Sequence, residues 1–209
     1  MTARTHLAHR LARLLLGLVI CGVGLAMMIA GDLGLGPWDV LHQGLAERTG
    51  IPIGRMVILV GAVVLLLWLP LRERPGLGTI ANVVVIGLVV DLVLAFVDTP
   101  ASLALRTVMM LSGPVLFAIG SGFYLGVGMG SGPRDGLMTG IASYGPPVGA
   151  VRAALELTVL IAGWLLGGTV GLGTVWFAVG IGPMVHWCLP RLAIADPVHR
   201  LPPQVRSAR

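Results

Sequence analysis

Six apolar stretches divide the chain from end to end, each long enough or nearly so to cross a hydrocarbon layer about 30 Å thick. They run from Leu14 to Ala30, Gly54 to Leu71, Leu77 to Val97, Thr107 to Val127, Gly149 to Leu166 and Leu172 to Leu189, each bounded by Arg, Pro, Gly or Asp. No water-soluble core of 209 residues needs a chain that is 56% hydrophobic and 11% charged with a mean hydropathy of +0.94. The expectation is an all-α membrane protein of about six transmembrane helices, residues 1–209 forming one polytopic domain. The 31 glycines and 14 prolines punctuate the apolar runs instead of clustering, the distribution that close helix contacts and helix breaks require.

Every basic residue of the Lys/Arg class is Arg, and much of the +5 formal charge lies in the tails. Arg4, Arg10 and Arg13 precede the first span, and Arg191, Arg200, Arg206 and Arg209 occupy a basic tail over 191–209. Such flanks belong on the cytoplasmic face against anionic headgroups, so both termini are expected there. No basic patch is interleaved with aromatics, so nucleic acid is not an expected partner. Cys21 and Cys188 sit in apolar runs without ligand or disulfide spacing, so neither metal nor cofactor is expected. The first span imitates a secretory signal, but it shares a pattern with a later segment and reads as part of the fold.

That pattern is a duplication. Gly34-Leu35-Gly36-Pro37-Trp38-Asp39 returns as Gly130-Ser131-Gly132-Pro133-Arg134-Asp135 at an offset of 96, with Gly17 on Gly113, Gly24 on Gly120 and Arg10 on Arg106. After a one-residue deletion the offset is 95, pairing Gly54 with Gly149, Gly87 with Gly182, and Gly76-Leu77-Gly78-Thr79 with Gly171-Leu172-Gly173-Thr174. Two ordered blocks at nearly one offset indicate internal repeats, about 10–94 and 106–189, of three spans each. An odd number of crossings turns the second copy upside down, an arrangement found in transporters. The inference requires that Pro37 to Arg48, which carries Asp39, His42, Glu47 and Arg48, does not itself cross. It places the loop near Thr49 outside and that near Tyr144 in the cytoplasm; Arg counts in the short loops do not decide the matter.

Through the doubled Gly-x-Gly-Pro-x-Asp block and the Gly-Leu-Gly-Thr starts of the third and sixth spans, the sequence resembles the bacterial YczE/YyaS/YitT group of integral membrane proteins. The resemblance covers nearly the whole chain except the Arg-rich tail. It implies a multi-span protein of the bacterial cytoplasmic membrane and brings no catalytic or binding residues with it.

Each Gly-Pro-x-Asp block is a helix start: Gly34, Gly36 and Pro37, or Gly130, Gly132 and Pro133, form the turn and first helical position, and the Asp faces the positive dipole end. A helix of about three turns follows, from Pro37 to about Arg48 and from Pro133 to about Tyr144. Each is either interfacial, with Trp38 as anchor and the Asp as a plain cap, or broken and re-entrant with its end on protein or a polar cavity. The re-entrant reading makes Asp39, Asp135, their i+4 neighbours Gln43 and Thr139, and His42 the candidate substrate-binding residues.

Asp91 lies deep in the third span and matches His186 in the sixth, and ionisable residues at such depth cost roughly 2.5–3.5 kcal/mol. Both are candidate proton-coupling groups, with local hydrogen bonding as the plainer reading of Asp91 and a neutral buried imidazole as that of His186. Arg152 and Glu156 read as a structural i,i+4 pair, and Asn82 as an interhelical hydrogen-bonding group. The expected function is a small secondary transporter or permease for a small solute, proton-coupled through these groups; the alternative is a non-transporting scaffold or assembly partner. Cationic or neutral polar cargo fits better than an anion, since each short helix already has a carboxylate at its positive end. The expected partners are the lipid bilayer, a small-molecule or ion cargo, and a second copy of the chain in a homo-oligomer. No nucleophile pair, zinc motif or phosphate loop is present, and an enzyme is not expected.

Overall fold

The computed structural model describes residues 3–194, which hold eight helices and no strand; the tail beyond Ile194, with Arg200, Arg206 and Arg209, lies outside the described residues. The helices are α1 (Ala3–Gly31), α2 (Pro37–Thr49), α3 (Ile53–Leu71), α4 (Leu77–Leu94), α5 (Leu103–Gly126), α6 (Pro133–Ala142), α7 (Val148–Leu165) and α8 (Leu172–Leu192). Six are long and apolar enough to cross a membrane; α2 and α6, of 13 and 10 residues, are not. The outer faces carry Leu66, Leu69, Phe96, Leu103, Leu165 and Val179 more than half exposed, an apolar surface suited to lipid.

The centre is α1 against α5, running antiparallel. Their axes come close because the facing positions are glycines: a Cβ on Gly17 would lie 2.6 Å from the Gly120 carbonyl, and one on Gly24 would lie 2.6 Å from that of Gly113. With no hydrophobic force between helices in lipid, such backbone approach supplies the dispersion contacts that hold them. Arginine fastens both ends of the pair: Arg10 donates to the Val127 carbonyl at 2.8 Å, and Arg106 donates through Nε to that of Gly31 at 2.8 Å. The apolar window of α1 is 61% buried against 11% for α7, which sets α1 at the middle and α7 at the rim.

The starts of α4 and α8 are built alike. The Gly76 amide donates to Thr79 Oγ1 at 3.2 Å and the Gly171 amide to Thr174 Oγ1 at 3.1 Å, satisfying a donor that the helix leaves free. Gly78 then donates to the Met129 carbonyl and Gly173 to that of Leu33. The turns they meet are centred on Gly34 at φ +110° and Gly130 at φ +135°, backbone that a side chain would strain.

One pair of contacts differs. Helices α3 and α4 cross with Gly54 against Gly87, where a Cβ on Gly54 would fall 2.1 Å from the Gly87 carbonyl. Among the described residues helices α7 and α8 make little contact, and a Cβ on Gly149 or Gly182 would meet nothing within 4 Å.

Candidate functional site

Helices α2 and α6 start as their sequences dictate: Gly36 and Gly132 are the N-caps with nearly the same extended backbone, Pro37 and Pro133 open the helix, and Asp39 and Asp135 lie in the first turn. Both starts face one cavity of about 230 Å³, with Pro37, Trp38 and His42 on one side and Gly132, Pro133, Arg134, Asp135 and Met138 on the other. Trp38 belongs to one buried cluster with Val64, Trp68, Leu137 and Val159 of α3, α6 and α7, so the α2 start lies inside the bundle. The Trp68 indole N–H donates to the Pro133 carbonyl at 3.0 Å and helps to fix the α6 start.

The two starts are linked by charge. Arg134 donates through Nη2 to Asp39 Oδ1 at 3.1 Å, and its guanidinium lies over the Trp38 ring, 5.2 Å from the centroid. Asp39 Oδ1 also contacts His42 Nδ1 at 3.2 Å; Asp39 and His42 are each 2% exposed. Burial works against ionisation of Asp39, but Arg134 and His42 together outweigh it and hold its carboxyl below the ordinary value. Burial likewise pushes the His42 imidazole below its ordinary value against the opposing pull of Asp39. Asp135 differs from its sequence counterpart: its side chain opens to the cavity, and among the described residues no cation lies within 4 Å of it. Enclosure by the surrounding protein raises its carboxyl above the ordinary value against the opposing pull of Arg134 and Arg152.

The remaining wall is largely apolar and aromatic. Phe117 and Phe177 meet edge to face with centroids 5.9 Å apart, Tyr124 lies against Gly132, and Val57, Val60 and Ile86 complete the apolar side. Arg152 and Glu156 pair at 2.8 Å as the i,i+4 spacing predicts, but they line the cavity in addition to bracing α7. Asn82 also lines it. Beside these two charged residues, Gly182 and Val185 of α8 border the cavity where α7 and α8 make little contact. The indole N–H of Trp38 is buried with no acceptor among the described residues.

The other sequence candidates lie elsewhere. The Gln43 side-chain oxygen accepts the Thr169 amide at 2.8 Å and ties α2 to the loop before α8. Thr139 is exposed and bonds back to the Gly136 carbonyl. Asp91 accepts the Gly54 and Arg55 amides at 2.7 and 3.1 Å, so it caps α3 from the neighbouring helix, while His186 is exposed on α8. Neither Asp91 nor His186 lines the cavity. Arg134, which the sequence reading did not single out, is the hub of the charged cluster; its signal was a cation next to the second Asp of a doubled motif.

The fold and cavity define a polytopic α-helical membrane protein with a charged internal chamber. The chain belongs to the family of unknown function DUF6198, which matches residues 8–190. It is 41% identical over 181 residues to an uncharacterized protein of Haemophilus influenzae, covering 86% of this chain and 83% of that one. It is 34% identical over 178 residues to the uncharacterized membrane protein YczE of Bacillus subtilis, with 84% and 83% covered, and 26% identical over 180 residues to YyaS of the same organism, with 84% and 90% covered. No solved structure matches the chain.

Proposed function

We propose that the protein is a small secondary transporter of the bacterial cytoplasmic membrane, assembled from two inverted copies of one unit, with its cargo held where α2 and α6 begin. The observation that carries this reading is the meeting of two helix starts, each with its own carboxylate, at one chamber inside a six-span bundle. Broken helix ends at such depth are tolerated beside a polar cavity and not beside lipid.

The inverted relation draws support from contacts that recur in exchanged form. Gly17 on Gly120 returns as Gly113 on Gly24, Arg10 on the Val127 carbonyl as Arg106 on that of Gly31, and Gly173 on the Leu33 carbonyl as Gly78 on that of Met129. Each pair follows from the other by the 96- and 95-residue offsets, as a two-fold axis across an antiparallel pair would make them. Asp135, the carboxylate open to the chamber, is the cargo-facing group of this reading.

A transporter must expose its chamber to both sides in turn. The test is a single cysteine at Val60, in a background without Cys21 and Cys188, treated with an impermeant thiol reagent in right-side-out and inverted vesicles at about pH 5.5 to 8.5, the range that brackets histidine titration. Labelling from both sides is expected. Labelling from one side throughout would favour the scaffold.

A further inference from the structure

We infer that the chamber is a binding site for an organic monocation with an apolar body, an aryl- or alkylammonium, whose charge faces Asp135 and whose hydrocarbon part lies against Phe117, Phe177 and the valines. The charge balance comes first. Asp39, Asp135 and Glu156 supply three carboxylates and Arg134 and Arg152 two guanidinium groups, with each Arg held by its own carboxylate at 3.1 and 2.8 Å. Asp135 is the remaining negative charge, and it is the one open to the cavity. An anion would meet this carboxylate with both arginines already occupied. A neutral solute would leave this carboxylate without a counter-charge in direct contact, which a cation would supply.

The wall narrows the class further. A strongly hydrated inorganic ion gains nothing from an apolar aromatic surface, whereas an ammonium with carbon substituents gains dispersion contact along its body and electrostatic attraction from ring faces. Four aromatic rings, Trp38, Phe117, Tyr124 and Phe177, reach the cavity, and the 230 Å³ volume accommodates a ligand with an aryl group but not a peptide. The face of Trp38 that Arg134 covers already carries a cation, which shows that these rings tolerate one.

The inference rests on the same chamber as the transport reading but not on any movement of it. Binding without passage leaves it standing, and passage of a solute without preference for cations overturns it while leaving transport intact. The probes are benzyltrimethylammonium, its neutral carbon isostere neopentylbenzene, and benzenesulfonate, titrated into the purified full chain in nanodiscs with a thermal-shift and a calorimetric readout. The nanodiscs without protein are titrated in parallel to remove partition into lipid. Saturable binding of the cation, at least about tenfold tighter than its isostere and than the sulfonate, is expected from cation–π and ion-pair attraction together. Asp135→Asn should weaken the cation by about tenfold or more and leave the isostere unchanged, while Asp98→Asn, outside the cavity lining in the loop after α4, should change neither. Equal binding of cation and isostere, preference for the sulfonate, saturation by none of the three, or a folded Asp135→Asn protein that binds the cation normally would each overturn the inference. The comparison of the three probes on the unaltered protein decides the matter even if the variant does not fold.

Discussion

Gly54 and Gly87 recur 95 residues later in the sequence as Gly149 and Gly182, yet adding one methyl group to each of the four should affect stability in opposite directions. Gly54 and Gly87 face each other where α3 crosses α4; a Cβ on the first would fall 2.1 Å from the Gly87 carbonyl and 2.6 Å from the Asp91 carboxyl, and a Cβ on the second 2.4 Å from the Gly54 carbonyl. These obstacles are backbone on both sides, so the helices must separate by about 1 Å to restore ordinary contact distance, at about 1–3 kcal/mol for an overpacked site. Separation at Gly54 also stretches the two amide bonds to Asp91, 2.7 and 3.1 Å long, adding about 1–3 kcal/mol for hydrogen bonds to a charged acceptor. The higher helix propensity of alanine returns at most about 1 kcal/mol. Gly54→Ala should therefore destabilise by about 1–6 kcal/mol, and Gly87→Ala by somewhat less. Gly149→Ala and Gly182→Ala meet nothing within 4 Å, so only the propensity gain of up to about 1 kcal/mol remains. Thermal unfolding of the purified variants in one detergent, followed by tryptophan fluorescence, should show the first two falling by about 2–4 °C per kcal/mol and the second two holding or rising. A drop at Gly149→Ala and Gly182→Ala as large as at Gly54→Ala would mean that α7 and α8 pack together in the isolated protein, and the reasoning from the gap would fail.

Three further outcomes follow from the site. Only ionised Asp135 attracts a cation, and its carboxyl is raised above the ordinary value while Arg134, Arg152, Glu156 and Tyr124 surround it, so benzyltrimethylammonium affinity should fall as pH drops through that raised value and level off at alkaline pH; Asp135→Asn should remove the slope. Arg134→Gln leaves Asp39, 2% exposed, without its cation and should cost about 3–5 kcal/mol in chemical or thermal unfolding, with part of the loss recovered in the Asp39→Asn/Arg134→Gln double variant. Asp91→Ala uncaps α3 and should lower stability by about 1–2 kcal/mol while leaving cation affinity unchanged, an outcome that separates a cap from a ligand.

The elements governed by local rules could be read from the sequence. Apolar length fixed the six spans, and Gly-Pro-x-Asp located the starts of α2 and α6 at Pro37 and Pro133 because capping and proline geometry act within one turn. Distance along the chain limited the rest. Asp91 looked like a buried charge in the third span, but its partners are amides 37 and 36 residues earlier, which no spacing rule connects. Asp39 and Asp135 look the same in the motif, and only the placement of Arg134, 95 residues from Asp39, neutralises one and leaves the other open. The difference between Gly54/Gly87 and Gly149/Gly182 is likewise invisible locally. The positions that match Val57 and Gly61 at the 95-residue offset are Arg152 and Glu156, a bulkier and charged pair that stands on the cavity side of α7.

Where α7 and α8 make little contact, the chamber is bordered by Arg152 and Glu156 of one and Gly182 and Val185 of the other, two helices long enough to span instead of loops at an end, which leaves room for a slot in the side wall. A solute that entered through such a slot would be drawn from the bilayer, and its effective concentration would be set by partition before it was set by affinity. Each methylene transferred into the membrane contributes about 0.8 kcal/mol, which enriches a homologous series roughly fourfold per carbon at the mouth. Dissociation constants referred to the aqueous phase would then tighten along that series even where the chamber itself distinguishes nothing beyond the headgroup.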